Sequence, residues 1–526
     1  MKKLIIFILI FSLSLFAQSK KKAEWAFSGR LNGYFQKIDI DGGNGQKKNK
    51  EKYTHNQDLT LRFLGPVKNA HAGVEIRTRL TNDNSIEKDG ATLLYFHSFF
   101  KNKKWYLEAG DVSASLNPYV FGGSVKGFKA TYKSRKKHNS WNYMFIGGIK
   151  KASWKELVES VDNERPDAYS GAFEAKYIRK RAQEIAFSIA AYKDDLSTGD
   201  TNKSILGKKG VSFGMHTKWR FNRYITLKGR FGLTDATDDI KNNKPSSSHT
   251  ALQIKLLTKP SLRKLRSNFV YTRISPKYIS LAGSANKDIE QFENSNTWRI
   301  GIGLRSRFGV RFKRDNLDND LNGTKRTSYE YISFNYRPKA IKRSNINVKF
   351  TNMDIKGRGV DSNTKTAGFT FNLRKKNGWR YALGLDYSDA NDNNASSNIT
   401  KSARVTIGYK KRLTKFKNYR IIATINQQWL SRKGNKDTNY GLKLDLGYTH
   451  NSRLSFDLNY LSRFAFKETS QDSEYSSYQV RANYKLDRRG KKSVRFLLEK
   501  KHNDIENTPK SSYNEYKAKI SYVYNF

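Results

Sequence analysis

The stretch YGLKLDLGYTHNSRLSFDLNY (440–460) contains two short segments in which an apolar side chain occupies every second position. In the first segment, leucine and tyrosine alternate with glycine, lysine and aspartate. After the polar THNSR, the pattern resumes with leucine, phenylalanine and tyrosine. Successive side chains of a β-strand point to opposite faces of the sheet. The stretch therefore predicts two strands, each with one apolar and one polar face, joined by a tight turn.

The same alternation recurs along most of the chain, for example over residues 211–219, 298–304, 381–387 and 403–409. Tyrosine and phenylalanine number 30 and 31 and proline only 8, a composition that favours strands. A soluble sandwich would alternate in the same way. Here, however, aromatic residues lie repeatedly at the ends of the apolar stripes, as they do in the interfacial girdles of membrane barrels.

We therefore predict an all-β fold, a large antiparallel transmembrane β-barrel that occupies residues 18–526 as one domain. Segmentation favours 26 strands, with 24 as the alternative, because bacterial barrels have an even number. Residues 298–312 are compatible with one long strand or with a tight hairpin. The first strand is expected over residues 24–38, so close to the N-terminus that no plug or periplasmic domain is expected before it.

The N-terminal segment 1–17 has the pattern of a signal peptide. Lys2 and Lys3 precede an apolar run over residues 4–16, and Ala17 is a small residue suited to cleavage. The apolar run is too short to span a bilayer comfortably. The chain has no cysteine, which excludes disulfides and a lipid-anchored cysteine.

Long and short connections alternate between the predicted strands, which is typical of external loops and periplasmic turns. Charge follows the same division: most acidic residues fall in the long loops and basic runs fall in the short turns. We therefore predict a basic periplasmic rim. Its members include Arg135, Lys136, Lys137, Arg179, Lys180, Arg181, Arg488, Arg489, Lys491 and Lys492.

The last strand of the chain ends on an aromatic residue. One face carries Tyr516, Ala518, Ile520, Tyr522, Tyr524 and Phe526. This pattern resembles the final strand of bacterial outer-membrane β-barrel proteins of the porin-like superfamily, without indicating a specific transporter family. The resemblance implies a location in the bacterial outer membrane, contact with its lipid, closure against the first strand, and recognition of this strand by the barrel assembly machinery.

Residues that could support chemistry are sparse. The eight histidines show no spacing suited to a metal site. His97 and Ser98 are neighbours in a predicted strand, so they point to opposite faces and cannot form a catalytic dyad directly. We expect no enzyme activity, catalytic residue, cofactor or metal. Despite a formal net charge of +52, nucleic acid is not expected as a partner, because the basic residues are spread over turns and lumen faces of an exported chain.

The polar faces of the predicted strands suggest a basic lumen, and therefore a passive, porin-like diffusion channel that favours anionic solutes. Few acids oppose these cations on the same faces: Glu75, Asp386, Asp445, Asp457 and Glu499. The predicted lumen cations are Arg62, Arg77, Arg79, Lys129, Lys218, Lys228, Arg230, Arg299, Lys349, Arg404, Lys443, Arg481 and Arg495.

Two other functions are compatible with the sequence. One is a secretion, export or assembly-platform barrel, whose wide lumen is occluded by long loops or by an acidic periplasmic partner on the basic rim. The other is a structural outer-membrane protein whose rim touches anionic lipid. The stretch GDVSASLNPYVFGG (110–123) has no basic residue and a proline amid small residues. It is either an ordinary apolar loop or a segment that folds inward as a constriction or docks a partner.

Overall fold

The structure is a computed structural model, and it describes most of the chain outside the N-terminal segment. The predicted signal peptide lies outside the described residues. The described residues are 25–41, 50–83, 90–135, 139–150, 154, 167–180, 182–196, 206–261, 264–279, 287–318, 323–392, 397–414, 417–432, 435–468, 471–487, 491–506 and 512–526.

The described chain forms 26 strands. In chain order they are β1 (Ala26–Asp41), β2 (Lys50–Val67), β3 (Ala70–Thr81), β4 (Ala91–Lys101), β5 (Trp105–Ser115), β6 (Gly122–Arg135), β7 (Asn139–Ile149), β8 (Asp167–Arg179), β9 (Gln183–Asp195), β10 (Lys209–Arg220), β11 (Ile225–Thr237), β12 (Ser247–Ser261), β13 (Leu265–Ile274), β14 (Ile289–Arg299), β15 (Leu304–Arg314), β16 (Arg326–Tyr336), β17 (Ser344–Gly357), β18 (Val360–Arg374), β19 (Trp379–Asp392), β20 (Asn398–Arg412), β21 (Asn418–Arg432), β22 (Asn435–Thr449), β23 (Leu454–Phe466), β24 (Ser473–Lys485), β25 (Lys492–Ile505) and β26 (Tyr513–Asn525).

The strands close into a barrel. Each strand pairs antiparallel with the next one along the chain, and β26 pairs with β1. At the closing seam, the Phe526 amide donates to the Gly29 carbonyl at 3.0 Å, and the Gly29 amide donates to the Phe526 carbonyl at 2.9 Å. Closure leaves no exposed sheet edge at this seam. The predicted all-β barrel and its preferred count of 26 strands are confirmed, and the stretch 440–460 forms the paired strands β22 and β23.

The outer face of the barrel is apolar. Phe213, Ile425 and Leu498 leave 48%, 59% and 60% of their surface exposed, and they share strand parity with other exposed hydrophobic residues. Large apolar side chains exposed in continuous bands around a protein are suited to hydrocarbon and not to water. No helix in the described part of the chain is long and apolar enough to cross a membrane.

Aromatic pairs surround the barrel near the short turns. The ring centres of Trp141 and Tyr177 lie 4.9 Å apart, and those of Trp379 and Tyr409 lie 4.7 Å apart. Tryptophan and tyrosine are amphipathic and prefer the boundary between hydrocarbon and headgroups. These cross-strand pairs therefore form a girdle at the end of the barrel where β1 begins and β26 ends.

Residues 298–312 form a hairpin, which is one of the two alternatives that the sequence left open. Residues 300–303 turn the chain from β14 to β15. Gly303 has a φ of 81°, a conformation that favours glycine. A Cβ atom at Gly303 would lie 2.3 Å from the Arg337 carbonyl oxygen. The local alternation of apolar residues continues through this turn, so periodicity alone could not reveal it.

Candidate functional site in the barrel interior

Side-chain alternation separates a lumen face from an outer face on every strand. On β10, Phe213 and Met215 are exposed on the outside, whereas Ser212 and Gly214 are buried on the inside. Directly paired residues of neighbouring strands point to the same side, so the register carries this assignment around the wall. Residues that share this inner parity line the lumen.

The wall is interrupted where β5 separates from β4. Pairing between these two strands stops at His97 and Gly110, so that residues 111–126 leave β4 and fold into the lumen. Gly110 has a φ of 102°, and a Cβ atom there would lie 2.2 Å from the Phe96 carbonyl oxygen. The backbone amide of Phe96, which lost its strand partner, donates to Asp111 Oδ2 at 2.8 Å. We call residues 111–126 the inward hairpin.

The base of the inward hairpin is held by a buried ion pair. Lys126 Nζ lies 2.8 Å from Asp111 Oδ1, and only 4% of the lysine side chain is exposed. Trp154 donates from Nε1 to Asp111 Oδ2 at 2.6 Å. The same indole ring lies 4.8 Å from Lys126 Nζ, close enough for a cation–π contact. Both buried charges therefore have compensating partners, as burial requires.

The tip of the hairpin builds an apolar core inside the barrel. Val120 and Phe121 are 1% and 2% exposed, and they pack with Val112, Val125 and Ile146 from the hairpin and β7. Alanines on β8 and β9 extend this cluster. A barrel lumen is normally polar and wet. An apolar cluster there indicates that the hairpin packs stably against the wall.

Asn117 and Tyr119 attach the tip of the hairpin to the wall beyond the apolar cluster, at strands β10 and β11 and at Tyr278 after β13. Asn117 is fully buried, and its side-chain amide donates to the carbonyls of Met215 at 3.1 Å and Phe231 at 2.6 Å. The Tyr278 hydroxyl donates to the Tyr119 carbonyl at 2.6 Å. Burial raises the pKa of Tyr278 to about 12, so this hydroxyl remains a donor at neutral pH.

Glycines on β10 and β11 make room for the tip. A Cβ atom on Gly214 would lie 2.4 Å from Val120 Cγ2, and one on Gly232 would lie 2.6 Å from Tyr119 Cβ. The tip therefore contacts the wall where the side chains are smallest. Of the two interpretations of residues 110–123, the structure shows the inward fold.

Several predicted lumen cations form ion pairs in the wall from β2 to β6. Arg62 Nε lies 2.9 Å from Glu75, with Arg77 3.8 Å from the same carboxylate. Arg79 lies 2.8 Å from Asp58. The sequence analysis did not include Asp58 among the lumen acids, although it shares the parity of Arg62. These pairs neutralise part of the predicted positive lumen.

A second set of ion pairs surrounds two further acids that the sequence analysis also missed, one buried and one half-buried. Glu108 contacts Lys129 at 2.6 Å and His97 at 3.1 Å. Glu184 contacts Lys176 at 2.5 Å and His216 at 3.3 Å. Both acids lie on the inner face of short strands, where the alternation used for the cations would also have identified them.

The cations on β10, β11 and β12 are arranged differently. Lys218 lies directly opposite Lys228, and Lys228 lies directly opposite Lys255. Within the part of the chain that the structure describes, none of the three forms an ion pair. We call these three residues the lysine row. Lys255 was not among the predicted lumen cations, although it shares their inner parity. Arg230 lies two residues along β11 from Lys228, and its Nη1 donates to Gln253 at 3.2 Å.

The structure places the remaining predicted cations on the inner face of their strands. Lys443 lies 3.1 Å from Asp445, and Arg481 donates to Gln479 at 2.7 Å. Three further inner-face arginines, Arg305, Arg307 and Arg311, lie on β15 and were not predicted. The others of the predicted set are Arg299, Lys349, Arg404 and Arg495.

The predicted basic rim is described only in part. Arg179 and Lys180 lie at the β8–β9 turn, Lys491 and Lys492 lie at the start of β25, and Arg135 ends β6. Lys492 Nζ lies 4.3 Å from the centre of the Tyr524 ring. The rim residues Lys136, Lys137, Arg181, Arg488 and Arg489 lie outside the described residues.

The last strand has the geometry expected of a closing strand. Tyr516, Ile520, Tyr524 and Phe526 are all exposed on the outer face. The Phe526 ring lies 5.5 Å from that of Phe27 on β1. The described residues contain no group of three or more histidine, aspartate or glutamate side chains suited to a metal ion.

Among solved structures, the chain is similar to the translocation pore of the P pilus usher PapC, with 10% identity, a TM-score of 0.40, and 95% of this chain and 99% of that chain covered. It is also similar to the siderophore receptor PirA of Pseudomonas aeruginosa, with 9% identity, a TM-score of 0.41, and 96% and 81% covered. A BenF-like porin of Pseudomonas fluorescens has 10% identity, a TM-score of 0.30, and 96% and 99% covered. No protein-family model and no curated protein matches the chain. These weak similarities do not support a specific function, and the strand pairing itself shows a closed antiparallel β-barrel of 26 strands.

Proposed function

We propose that this protein is a channel of the bacterial outer membrane, a porin-like passive diffusion pore that favours anionic solutes. The observation that carries the proposal is the lysine row, together with Arg230, on the inner face of β10 to β12. Cations that lack carboxylate partners raise the positive potential of the lumen, whereas the ion pairs elsewhere in the wall cancel much of theirs. A low-dielectric wall focuses the resulting field on passing solutes.

The inward hairpin supports a channel with a narrowed lumen. The lumen of a barrel widens with the number of strands, and 26 strands enclose more space than the 16 to 18 of typical porins. The hairpin takes up part of this space with residues of the chain itself. This lessens the need for the acidic periplasmic partner that the secretion alternative requires. Selection would be electrostatic and steric, without a chemical step.

The proposed orientation follows from the two kinds of connections. The short turns and the closing strand would face the periplasm, and the inward hairpin would enter from the external half. We also propose that the barrel assembly machinery recognises β26 and that lipid of the outer membrane surrounds the apolar band. The outward-facing aromatic residues of β26 support both proposals.

A reversal potential measured in planar bilayers tests the proposed function. The purified full chain is inserted into a bilayer that separates two potassium chloride concentrations. We expect the reversal potential to have the sign of the chloride equilibrium potential, because the lumen cations attract anions. A reversal potential with the sign of the potassium equilibrium potential would contradict the proposal. The absence of any conductance in folded protein would favour the structural alternative.

A further inference from the structure

The lysine row brings like charges together across adjacent strands. Directly opposed residues in an antiparallel pair have Cβ atoms about 5 Å apart, and like charges in this position destabilise the sheet. Lys218, Lys228 and Lys255 are all half-buried, so water screens their repulsion incompletely. A protein that keeps this arrangement has a repulsion that an anion would relieve.

The nearest carboxylate is already engaged elsewhere. Glu184 lies directly opposite Lys218 in the register of β9 and β10. Its Oε1 atom contacts Lys176 Nζ on β8 at 2.5 Å and His216 Nε2 at 3.3 Å. Glu184 therefore lies at the Lys218 end of the lysine row without forming an ion pair with Lys218. The positive charge of Lys228 and Lys255 is open to a solute.

The tip of the inward hairpin packs against β10 and β11 on the external side of the lysine row. Gly232, beneath Tyr119, lies four residues along β11 from Lys228, which corresponds to about 13 Å along the strand. Arg230 lies between them on the same inner face. Burial raises the pKa of Tyr119 at the tip of the hairpin, and the positive charge of Arg230 opposes this shift. Solutes that pass the tip would next meet Arg230 and the lysine row.

The chemistry of the row favours one class of anion. Lysine ammonium groups are compact point charges with three donors each, whereas planar carboxylates are matched best by the fork of arginine. Several lysines that converge from adjacent strands suit a small anion with oxygens in several directions and more than one negative charge. Phosphate has this shape and charge.

We propose that the lysine row, with Arg230, binds a compact oxyanion of two or more negative charges, of which inorganic phosphate is the simplest member. The proposal rests on the proposed function only in requiring that solutes reach this face of the lumen. It differs from general anion selectivity because it assigns binding to four neighbouring residues and not to the total charge of the lumen.

Phosphate block of chloride conductance tests the binding site. The full chain in a planar bilayer carries chloride current while inorganic phosphate is added to both sides. We expect phosphate to reduce the chloride conductance, because a bound oxyanion occupies the lumen face of β10 to β12. In the variant Lys218→Gln, Lys228→Gln, Lys255→Gln, we expect the half-blocking phosphate concentration to rise at least about tenfold.

A matched variant removes the same number of charges elsewhere. Lys349→Gln, Arg404→Gln, Arg495→Gln changes three inner-face cations on separate strands, none of them opposed to another member of the set. We expect this control to shift the chloride reversal potential about as much as the row variant does, and to leave the phosphate block unchanged. Migration of heated and unheated samples on a gel verifies that both variants are folded. If the row variant does not fold, Lys228→Gln alone replaces it in the same measurement.

Three results would overturn or separate the proposals. Equal weakening of the phosphate block in the two variants would contradict a discrete site and leave anion selectivity in place. A wild-type chloride current that phosphate does not reduce would also contradict the site. A cation-selective wild type would contradict the proposed function, and the phosphate block would then decide the binding site independently.

Discussion

Two regions of the inner wall differ in whether their cations have carboxylate partners. Between β2 and β6, Arg62, Arg79 and Lys129 each contact a carboxylate within 3 Å. On β10 to β12, the members of the lysine row face one another. Charges in the first region have partners within the fold, so they contribute to structure more than to the field in the lumen. Charges in the second region repel one another in the folded chain and are available to a solute.

Removal of the tip of the inward hairpin should have the largest effect, because it changes the space in the lumen beside the lysine row. Replacing residues 113–121 by a short glycine linker deletes the segment that packs on β10 and β11, on the external side of Arg230 and the lysine row. We expect single-channel conductance to rise severalfold, because the wide barrel loses its internal occlusion. Shortening the exposed loop at residues 238–246 by the same length is the control and should leave conductance nearly unchanged. Equal conductance of the hairpin deletion and the wild type would show that the tip does not narrow the ion path.

Breaking the buried ion pair at the base of the hairpin should reduce stability. Asp111→Ala leaves Lys126 buried without its partner and removes the acceptor of the Phe96 amide. We expect the free energy of unfolding to fall by about 3 kcal/mol, measured by urea titration in lipid vesicles. Asp238→Ala breaks the exposed pair with Lys244 and is the control, with a change too small to resolve. A similar loss of stability in both variants would mean that the buried Asp111–Lys126 ion pair contributes no more to stability than the exposed Asp238–Lys244 pair.

Filling the space beneath the tip should displace the hairpin without changing charge. Gly232→Val places a branched side chain against Tyr119, because even a Cβ atom would lie 2.6 Å from Tyr119 Cβ. We expect the free energy of unfolding to fall by about 2 kcal/mol and conductance to rise. Gly384→Val is the matched control, since a Cβ atom at this inner-face glycine would lie 3.8 Å from its nearest neighbour. A stable Gly232→Val variant with wild-type conductance would contradict the docking of the tip at β11.

The smallest expected effect contrasts the two regions directly. Lys228→Gln removes the middle charge of the lysine row, so we expect the free energy of unfolding to rise by about 0.5 kcal/mol in phosphate-free buffer. Arg62→Gln removes the partner of Glu75 and should lower it by a comparable amount. Urea titration in lipid vesicles measures both. Destabilisation by Lys228→Gln would show that the lysines do not repel one another appreciably.

Much of the lumen surface was predictable, because strand parity is a local property. Arg404 and Lys443 were assigned to the lumen from the residues beside them, and the structure places both on the inner face. Asp58 and Glu184 were missed although the same parity marks them. Lys255 was missed for the same reason, and without it the lysine row could not be recognised. The strand parity that identifies these three residues was present in the sequence, and they were left out only when residues were selected.

Other features could not be decided from the local alternation of side chains. The stretch 110–123 lacks charge on its tip, and nothing within it indicates that Asn117 would reach Met215 and Phe231, far along the chain. The turn at residues 300–303 keeps the apolar alternation of a strand, so periodicity left a long strand and a hairpin open, although Gly303 with its φ of 81° permits the reversal. The inward fold is decided by residues that are distant in sequence.

The sequence by itself determined the class of fold and the side of the wall to which each charge belongs, and it favoured 26 strands over 24, because alternation and turn composition act between neighbouring residues. Only the tertiary structure decided which charges are neutralised and where the lumen narrows. Ion pairing depends on cross-strand register, and the inward fold depends on contacts between the hairpin and the distant strands β10 to β13. Both involve residues brought together by closure of the barrel, which local pattern does not encode.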